Sequence, residues 1–264
     1  MMVGAAVHQE RIPSIDQPIG EWIEVEERFA SVTWRHVMMQ TAGLDYPYGE
    51  YPSYEPGKMW TYSDLNLVVL CNALARVYGR EDFYDDYASC ASAAYFDAIG
   101  MEGWSTKIVF DKASQIDDGV RFVISLDHMG RLGLFALARG CWNGERLVPE
   151  GYVETLETKQ TSGLCVNYEG PNDGIVHLKD FANQFPECPY GLLSWTNSDG
   201  DYFPGADSGW AWGAGAGGTY IVWNAKLGFV FAAAGIEMDP DRNGIPHLIE
   251  RALGVQSKDS EIVK

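Results

Sequence analysis

Near residue 160 the chain changes character, and that change limits its fold more than any other feature. Before it, apolar residues recur at helical spacing; beyond it Gly, Asn and Asp become dense, and no helical period returns until Pro246. Helices first and strands second imply an α+β architecture, not a βαβ alternation. Residues 2–9 read as the second half of an apolar helix with no capping residue ahead of it. Residues 33–44 form a short helix, with Thr33 as N-cap and Gly43 just past its end. The run Leu65, Leu67, Val68, Val69, Leu70, Leu74 makes 64–78 a helix that is apolar nearly all round, closed by Gly79. Residues 81–98 read as a helix with Phe83, Tyr84 and Tyr87 toward the core. Ser125 caps another that runs to Arg139, with Asp127 in its first turn and Gly140 as terminator. Trp142-Asn143-Gly144-Glu145 is a tight turn, and Pro149 opens one more helix. Strands are predicted at 190–196, about 209–214, 218–223 and 227–234, the last two joined as a hairpin around Asn224-Ala225-Lys226; residues 246–253 close the chain as a helix. The expectation is one domain over 1–264, a mostly helical lobe to about 160 and then an antiparallel sheet backed by the C-terminal helix.

Composition removes several classes of function. With Lys+Arg 19 against Asp+Glu 37 the net charge is −18, which repels phosphate backbones and anionic lipid. No nucleic-acid or membrane-surface partner is expected. Stretches such as 227–234 are far shorter than the roughly 20 residues of a transmembrane helix. The five cysteines, at 71, 90, 141, 165 and 188, show no metal-ligand spacing and read as free thiols, which favours a reducing, cytoplasmic setting. The opening residues lack the basic leader of a signal peptide. Nine Trp and fourteen Tyr suit either an aromatic-walled cleft or a plain aromatic core; the Tyr/Pro-rich loop at 45–57 is a candidate cleft wall. The pattern Asp239-Pro240-Asp241-Arg242-Asn243-Gly244 followed by Glu250 matches a calcium loop. A strand precedes it where a helix is needed, so an acidic surface loop is the expectation and no metal or other cofactor is assigned.

Two segments carry the candidate chemistry. At residues 55–70 a Pro56-Gly57 turn delivers Tyr62, Ser63 and Asp64 to the mouth of the apolar helix. Tyr62 either packs there or carries a proton. The latter needs a neighbouring cation, because a tyrosine ordinarily ionises near pH 10. Gly215-Ala216-Gly217-Gly218-Thr219 begins a hairpin whose small residues let a ligand approach the strand, where a backbone N–H could serve an oxyanion. Alternatively it is a glycine-rich edge without function.

In order and spacing these segments resemble the serine β-lactamase, penicillin-binding protein and class C-like esterase superfamily. Residues 33–44 are similar to its "T-x-R-H-L-L-x-H-T-S-G-L" segment, and Pro56 to Leu70 to "P-G-x-x-x-x-Y-S-N-x-x-Y-x-L-L". Residues 96–101 resemble "P-L-G-M", residues 131–148 resemble "R-F-G-x-L-L-L-x-x-G-x-W-N-G", and 215–234 resemble the paired strands after the third catalytic motif. The short connection at 215–219 is closest in look to the 6-aminohexanoate-oligomer hydrolase and esterase branch.

The resemblance implies a β-lactamase/transpeptidase-like fold and hydrolysis of a small-molecule ester or amide through a serine ester. It makes Tyr62 the general base or proton shuttle beside a Ser-x-x-Lys nucleophile. Asp64 stands where the family has Asn; it replaces an amide donor with an acceptor, or else caps the helix. Residues 215–219 stand where the family has Lys-Thr-Gly or His-x-Gly. No serine here has a lysine three positions on. Residues 3–7 correspond to the middle of the nucleophile's helix, so the resemblance implies an N-terminally truncated, inactive form that also lacks the family's N-terminal strands. A non-catalytic binding protein with the same cleft is the alternative. His36 falls in a structural helix, and self-association through an uncovered sheet edge is expected.

Overall fold

Helix α1 (Met2–His8) has no side-chain cap, and packing holds it: Met2, Val3, Gly4, Ala5 and Ala6 are all buried. The computed structural model describes residues 1–44, 54–80, 88–111, 116–166, 187–215, 218–235, 249–251 and 253–254. Two 3-10 turns, Ile19–Glu21 and Glu27–Phe29, lead to α2 (Trp34–Met38). Here Thr33 Oγ1 accepts from the His36 N–H at 3.2 Å, while His36 Nδ1 accepts from the Thr33 N–H at 3.3 Å. This is a reciprocal capping box with histidine in place of the usual Glu or Gln. The two-residue strand β1 (Met59–Trp60) then runs into α3 (Asp64–Val77), whose N-cap is Ser63, with its Oγ accepting from the Leu65 N–H at 3.3 Å. The cap is therefore Ser63, and Asp64 is the first residue inside the helix. Of the helix expected over 81–98, residues 88–91 are helical and continue as a π-helical turn, Ser92–Phe96; residues 81–87 lie outside those described.

The expectation of a helical lobe to residue 160 misses two hairpins. Strands β2 (Ser105–Asp111) and β3 (Ile116–Val123) pair antiparallel as a separate two-stranded sheet. The helix that follows, α4 (Leu126–Leu137), starts on a second histidine capping box: Ser125 Oγ accepts from His128 N–H at 3.2 Å and His128 Nδ1 from Ser125 N–H at 3.3 Å. The tight turn at 142–145 joins β4 (Cys141–Trp142) to β5 (Glu145–Arg146). Pro149 then caps α5 (Glu150–Glu157).

Beyond residue 160 come β6 (Cys165–Val166), parallel to β1, and then β7 (Trp195–Thr196), β8 (Trp210–Gly215), β9 (Thr219–Asn224) and β10 (Phe229–Ala233). The last four form one antiparallel sheet in the order β10-β9-β8-β7. The strand expected over 190–196 is shorter, because Leu193 takes a positive φ of 55° and folds Tyr190 back onto Trp195. One sheet face, carrying Ala211, Ile221, Trp223 and Val230, joins the main core with α1, α3, α4 and α5. The other, carrying Trp210, Trp212, Val222, Phe229 and Phe231, packs with Phe203 and Ile249.

Of the closing helix, residues 249–251 form a helical turn. Buried Glu250 anchors it, its Oε1 accepting from the Asp207 N–H at 2.7 Å and from Trp210 Nε1 at 2.8 Å. Its carboxylate thus ties the turn to the sheet; residues 239–248, the rest of the calcium-like pattern, lie outside those described.

Contact between α4 and the sheet depends on Gly133. A Cβ there would come within 2.5 Å of Val230 Cγ1 and 3.2 Å of Ile221 Cγ2, whereas one at Gly130 would meet nothing within 4 Å. Gly130→Ala should stabilise the protein by up to about 1 kcal/mol through helix propensity. Gly133→Ala should destabilise it by about 1–3 kcal/mol through overpacking. Urea midpoints that move the same way in both variants would contradict this packing.

The cap on α2 makes stability depend on pH. Burial, then the Arg35 charge beside it, lowers the His36 pKa from the ordinary 6.5, and its Nδ1 can accept from Thr33 only when unprotonated. A depressed folded pKa gives stability that is fully present above pH 6.5 and declines as the pH falls toward the folded value. His36→Gln keeps an acceptor that does not titrate, so urea midpoints should fall less steeply below about pH 6.5; equal slopes would show that His36 is not responsible.

Candidate active site

The backbone on either side of Tyr62 is tied to one buried residue, Gln40, through its main-chain carbonyl on one side and its side-chain amide on the other. The Pro56-Gly57 turn places Gly57 at φ 79°, with its N–H donating to Thr41 O at 2.8 Å, and feeds the chain into β1. The Thr61 N–H then donates to Gln40 O at 2.9 Å. The Ser63 N–H donates to Gln40 Oε1 at 2.9 Å, and Asn66 Nδ2 donates to the same oxygen at 2.8 Å. Gln40 is fully buried and itself holds a positive φ of 61°. Residue 62 is thus bracketed by bonds at 61 and 63 to a neighbour far off in sequence, the kind of support that fixes a functional side chain.

Aromatic packing fixes the Tyr62 ring. It lies 6.2 Å from the ring of fully buried Trp60, and 6.2 Å from that of Trp195 with the planes only 15° apart. Trp60 and Trp195 also meet Tyr190 edge-on, at 5.6 and 5.0 Å. Trp195 is the cross-strand partner of Trp212 on β8, and Gly215 lies three residues further along that strand. The structure therefore connects Tyr62 to the glycine-rich strand through Trp195. Gly215 ends β8 and pairs with Thr219, the first residue of β9. Gly218 takes φ 72°, a turn conformation, and Ala216 and Gly217 lie outside the described residues. Nothing is described of the Asp64 side chain beyond its place at the head of α3. Of the loop at 45–57 expected as a cleft wall, residues 45–53 lie outside the described residues, and the aromatic wall that the structure does show comes from residues 60–62, β7 and residues 190–212.

Lys159 is committed to carboxylate partners. Lys159, its side chain 8% exposed, lies 2.8 Å from Asp199, 3.4 Å from Glu187 and 3.5 Å from Asp201. Burial opposes its charge, but these carboxylates outweigh burial and raise its pKa. It stays an ammonium, and cannot act as the proton acceptor that a catalytic lysine becomes. His36 sits in its capping box, as a structural residue should. Among the described residues no group of three or more His, Cys, Asp or Glu could hold a metal ion, and no helix is long and apolar enough to cross a membrane.

Between the helical lobe and the sheet lies a cavity of about 280 Å³, lined by Met1, Met38, Tyr95, Leu192 to Ser194 and residues of α1, α3, α4, α5, β8 and β9. Its position beside β8 was not legible in the sequence, because its walls come from segments as far apart as Met1 and Trp223.

The beta-lactamase family model matches residues 1–253. The chain belongs to the beta-lactamase family. Solved structures agree on the fold. A beta-lactamase/D-alanine carboxypeptidase from Yersinia pestis superposes with a TM-score of 0.63 at 14% identity, covering 96% of this chain and 80% of that one. A family VIII carboxylesterase gives 0.62 at 12% identity, covering 97% and 79%. A protein assigned as a 6-aminohexanoate-dimer hydrolase, from Bacillus anthracis, gives 0.60 at 17%, covering 96% and 69%. No curated protein matches. The fold is thus the α+β, β-lactamase/transpeptidase-like one that the motif order implies. Gln40 is the residue that sequence reasoning missed: it lies within the segment 33–44 that resembles the family, but nothing in that segment shows its side chain reaching Ser63 and Asn66.

Proposed function

We propose that this beta-lactamase family member carries the proton-handling and carbonyl-binding half of an acyl-transfer site for small-molecule esters or amides. Tyr62 is the proton carrier, and the β8–β9 edge from Gly215 to Thr219 receives the carbonyl oxygen. The observation that carries this reading is the fixed position of Tyr62, bracketed at Thr61 and Ser63 by bonds to Gln40 and linked through Trp195 to β8. A tyrosine that merely filled space would not need the main chain and the buried side-chain amide of one residue to hold the backbone on its two sides. Asp64 in place of the family's Asn removes a side-chain donor, which disfavours substrates held by that amide, β-lactams among them.

No serine in the 264 residues stands three positions before a lysine, so the chain by itself holds no activated nucleophile of the family's kind. It should leave p-nitrophenyl esters and nitrocefin intact. Stoichiometric labelling of one serine by a fluorophosphonate probe would overturn this. The second reading, a non-catalytic binding protein, draws on the packed aromatic wall of Trp60, Tyr62, Tyr190 and Trp195. It predicts ligand binding that Tyr62→Phe leaves unchanged.

A further inference from the structure

We propose that Asn66 is a positioning residue for Tyr62: it acts through Gln40, by fixing which atom of the Gln40 amide faces the Ser63 N–H. Helix α3 starts unlike α2 and α4. In those two helices the third residue, His36 or His128, accepts directly from the N–H of the capping residue. Ser63 caps α3 and Asn66 is the third residue of that helix, so the same closure would have Asn66 accept from the Ser63 N–H. It does not. Asn66 Nδ2 donates to Gln40 Oε1 at 2.8 Å, and that oxygen takes the Ser63 N–H at 2.9 Å. A third residue, 26 positions upstream of Asn66, is thus inserted into the capping box.

The insertion matters because a side-chain amide has an accepting end and a donating end. A half-turn of the Gln40 amide would set Nε2, a donor, against the Ser63 N–H, also a donor, and break the bond. Asn66 opposes that turn by bringing a second donor to the same oxygen. No other bond holds the two amides this way round: among the described residues Gln40 Nε2 and Asn66 Oδ1 have no hydrogen-bond partner, although Gln40 is fully buried and Asn66 is 4% exposed. Two unpaired buried polar atoms cost stability, a pattern that fits a pair kept for orientation. Without Asn66 a single donor remains at Oε1, and the amide can turn. Ser63 then loses its tether, while Thr61, which donates to the Gln40 main chain, keeps its own. Tyr62 would be held on one side only. That Asn66 serves catalysis rests on the proposed role of Tyr62; the relay itself does not.

Hydrogen exchange of single amides reads the relay without turnover. A Tyr62 that carries no proton therefore leaves the relay standing, and a relay that fails leaves the proton-carrier reading to its own test. Asn66→Leu, which keeps the size but removes the donor, should speed exchange of the Ser63 N–H by about tenfold or more, the scale of one lost hydrogen bond. Exchange at Thr61 should stay as it was, and the Tyr62 ring resonances should move. Gln40→Ala should speed exchange at Ser63 to a similar degree. Adding Asn66→Leu to it should bring no further change, because Asn66 acts only through Gln40; a role in packing alone would add to the effect. Unchanged Ser63 exchange in an Asn66→Leu chain with native near-UV circular dichroism would overturn the inference, and so would additive effects in the pair. If the variants do not fold, the unsubstituted chain decides. Two donors on one oxygen bring the Ser63 amide proton close to the Asn66 side-chain amide protons, so a nuclear Overhauser cross-peak between them is expected. Its absence would equally overturn the inference.

Discussion

The purified chain should associate through the outer edge of β10, and more strongly as salt is raised. β10 hydrogen-bonds β9 along one side over five residue pairs, and among the described residues it has no strand on the other. Its sequence, Phe229-Val230-Phe231-Ala232-Ala233, carries no polar residue, which suits a strand flanked on both sides. In the structure only Ala233 is buried, while Phe229 to Ala232 are half-buried. Unpaired N–H and C=O groups beside apolar side chains are a template for pairing with a second copy. On α4, packed against β10 and β9, Leu126 and Leu134 are 55% and 48% exposed on one side of the helix, adding apolar surface nearby. The net charge of −18 opposes association at low ionic strength, and screening over a Debye length of about 10 Å at 0.1 M salt should relieve it. Sedimentation equilibrium across a salt series, with amide exchange of residues 227–234, measures this. A monodisperse monomer at all salt concentrations, with slow exchange along the whole strand, would contradict it.

How much of this was legible depended on the range of the interactions. The caps at Thr33 and Ser125 lie within three residues of their partners, and the α2 and α4 starts follow from them; at α3 the sequence offered Asp64 as the cap, where the structure uses Ser63. The β9–β10 hairpin was legible for the same reason. The β2–β3 hairpin was not: its residues 105–123 follow a run of helices and lack strict alternation, and its register shifts between Ile108 and Phe110. Tyr62 stood out through its place after a Pro-Gly turn and before an apolar helix. Its support was hidden, because Gln40 lies more than twenty residues upstream in a positive-φ conformation that glutamine seldom adopts. The cavity was hidden more deeply still, since it is the space left between distant segments and not a property of any one of them.

The central claim is that Tyr62 carries the proton in acyl transfer, and joining a segment with Ser-x-x-Lys ahead of α1 allows a direct measurement. The joined chain should hydrolyse p-nitrophenyl esters. Tyr62→Phe keeps the ring against Trp60 and Trp195 but removes the hydroxyl, so the acylation rate should fall by about 10²-fold or more, as for loss of a general base. The limb of the pH–rate profile along which the rate rises with pH should change with it, because the base whose ionisation it reports is gone. Gln40→Ala, which frees the backbone at Ser63 while leaving the hydroxyl, should also lower the rate but keep the shape of the profile. Acylation in the Tyr62→Phe chain at the rate of the unsubstituted one, with an unaltered pH profile, would reduce Tyr62 to a packing residue and contradict the account.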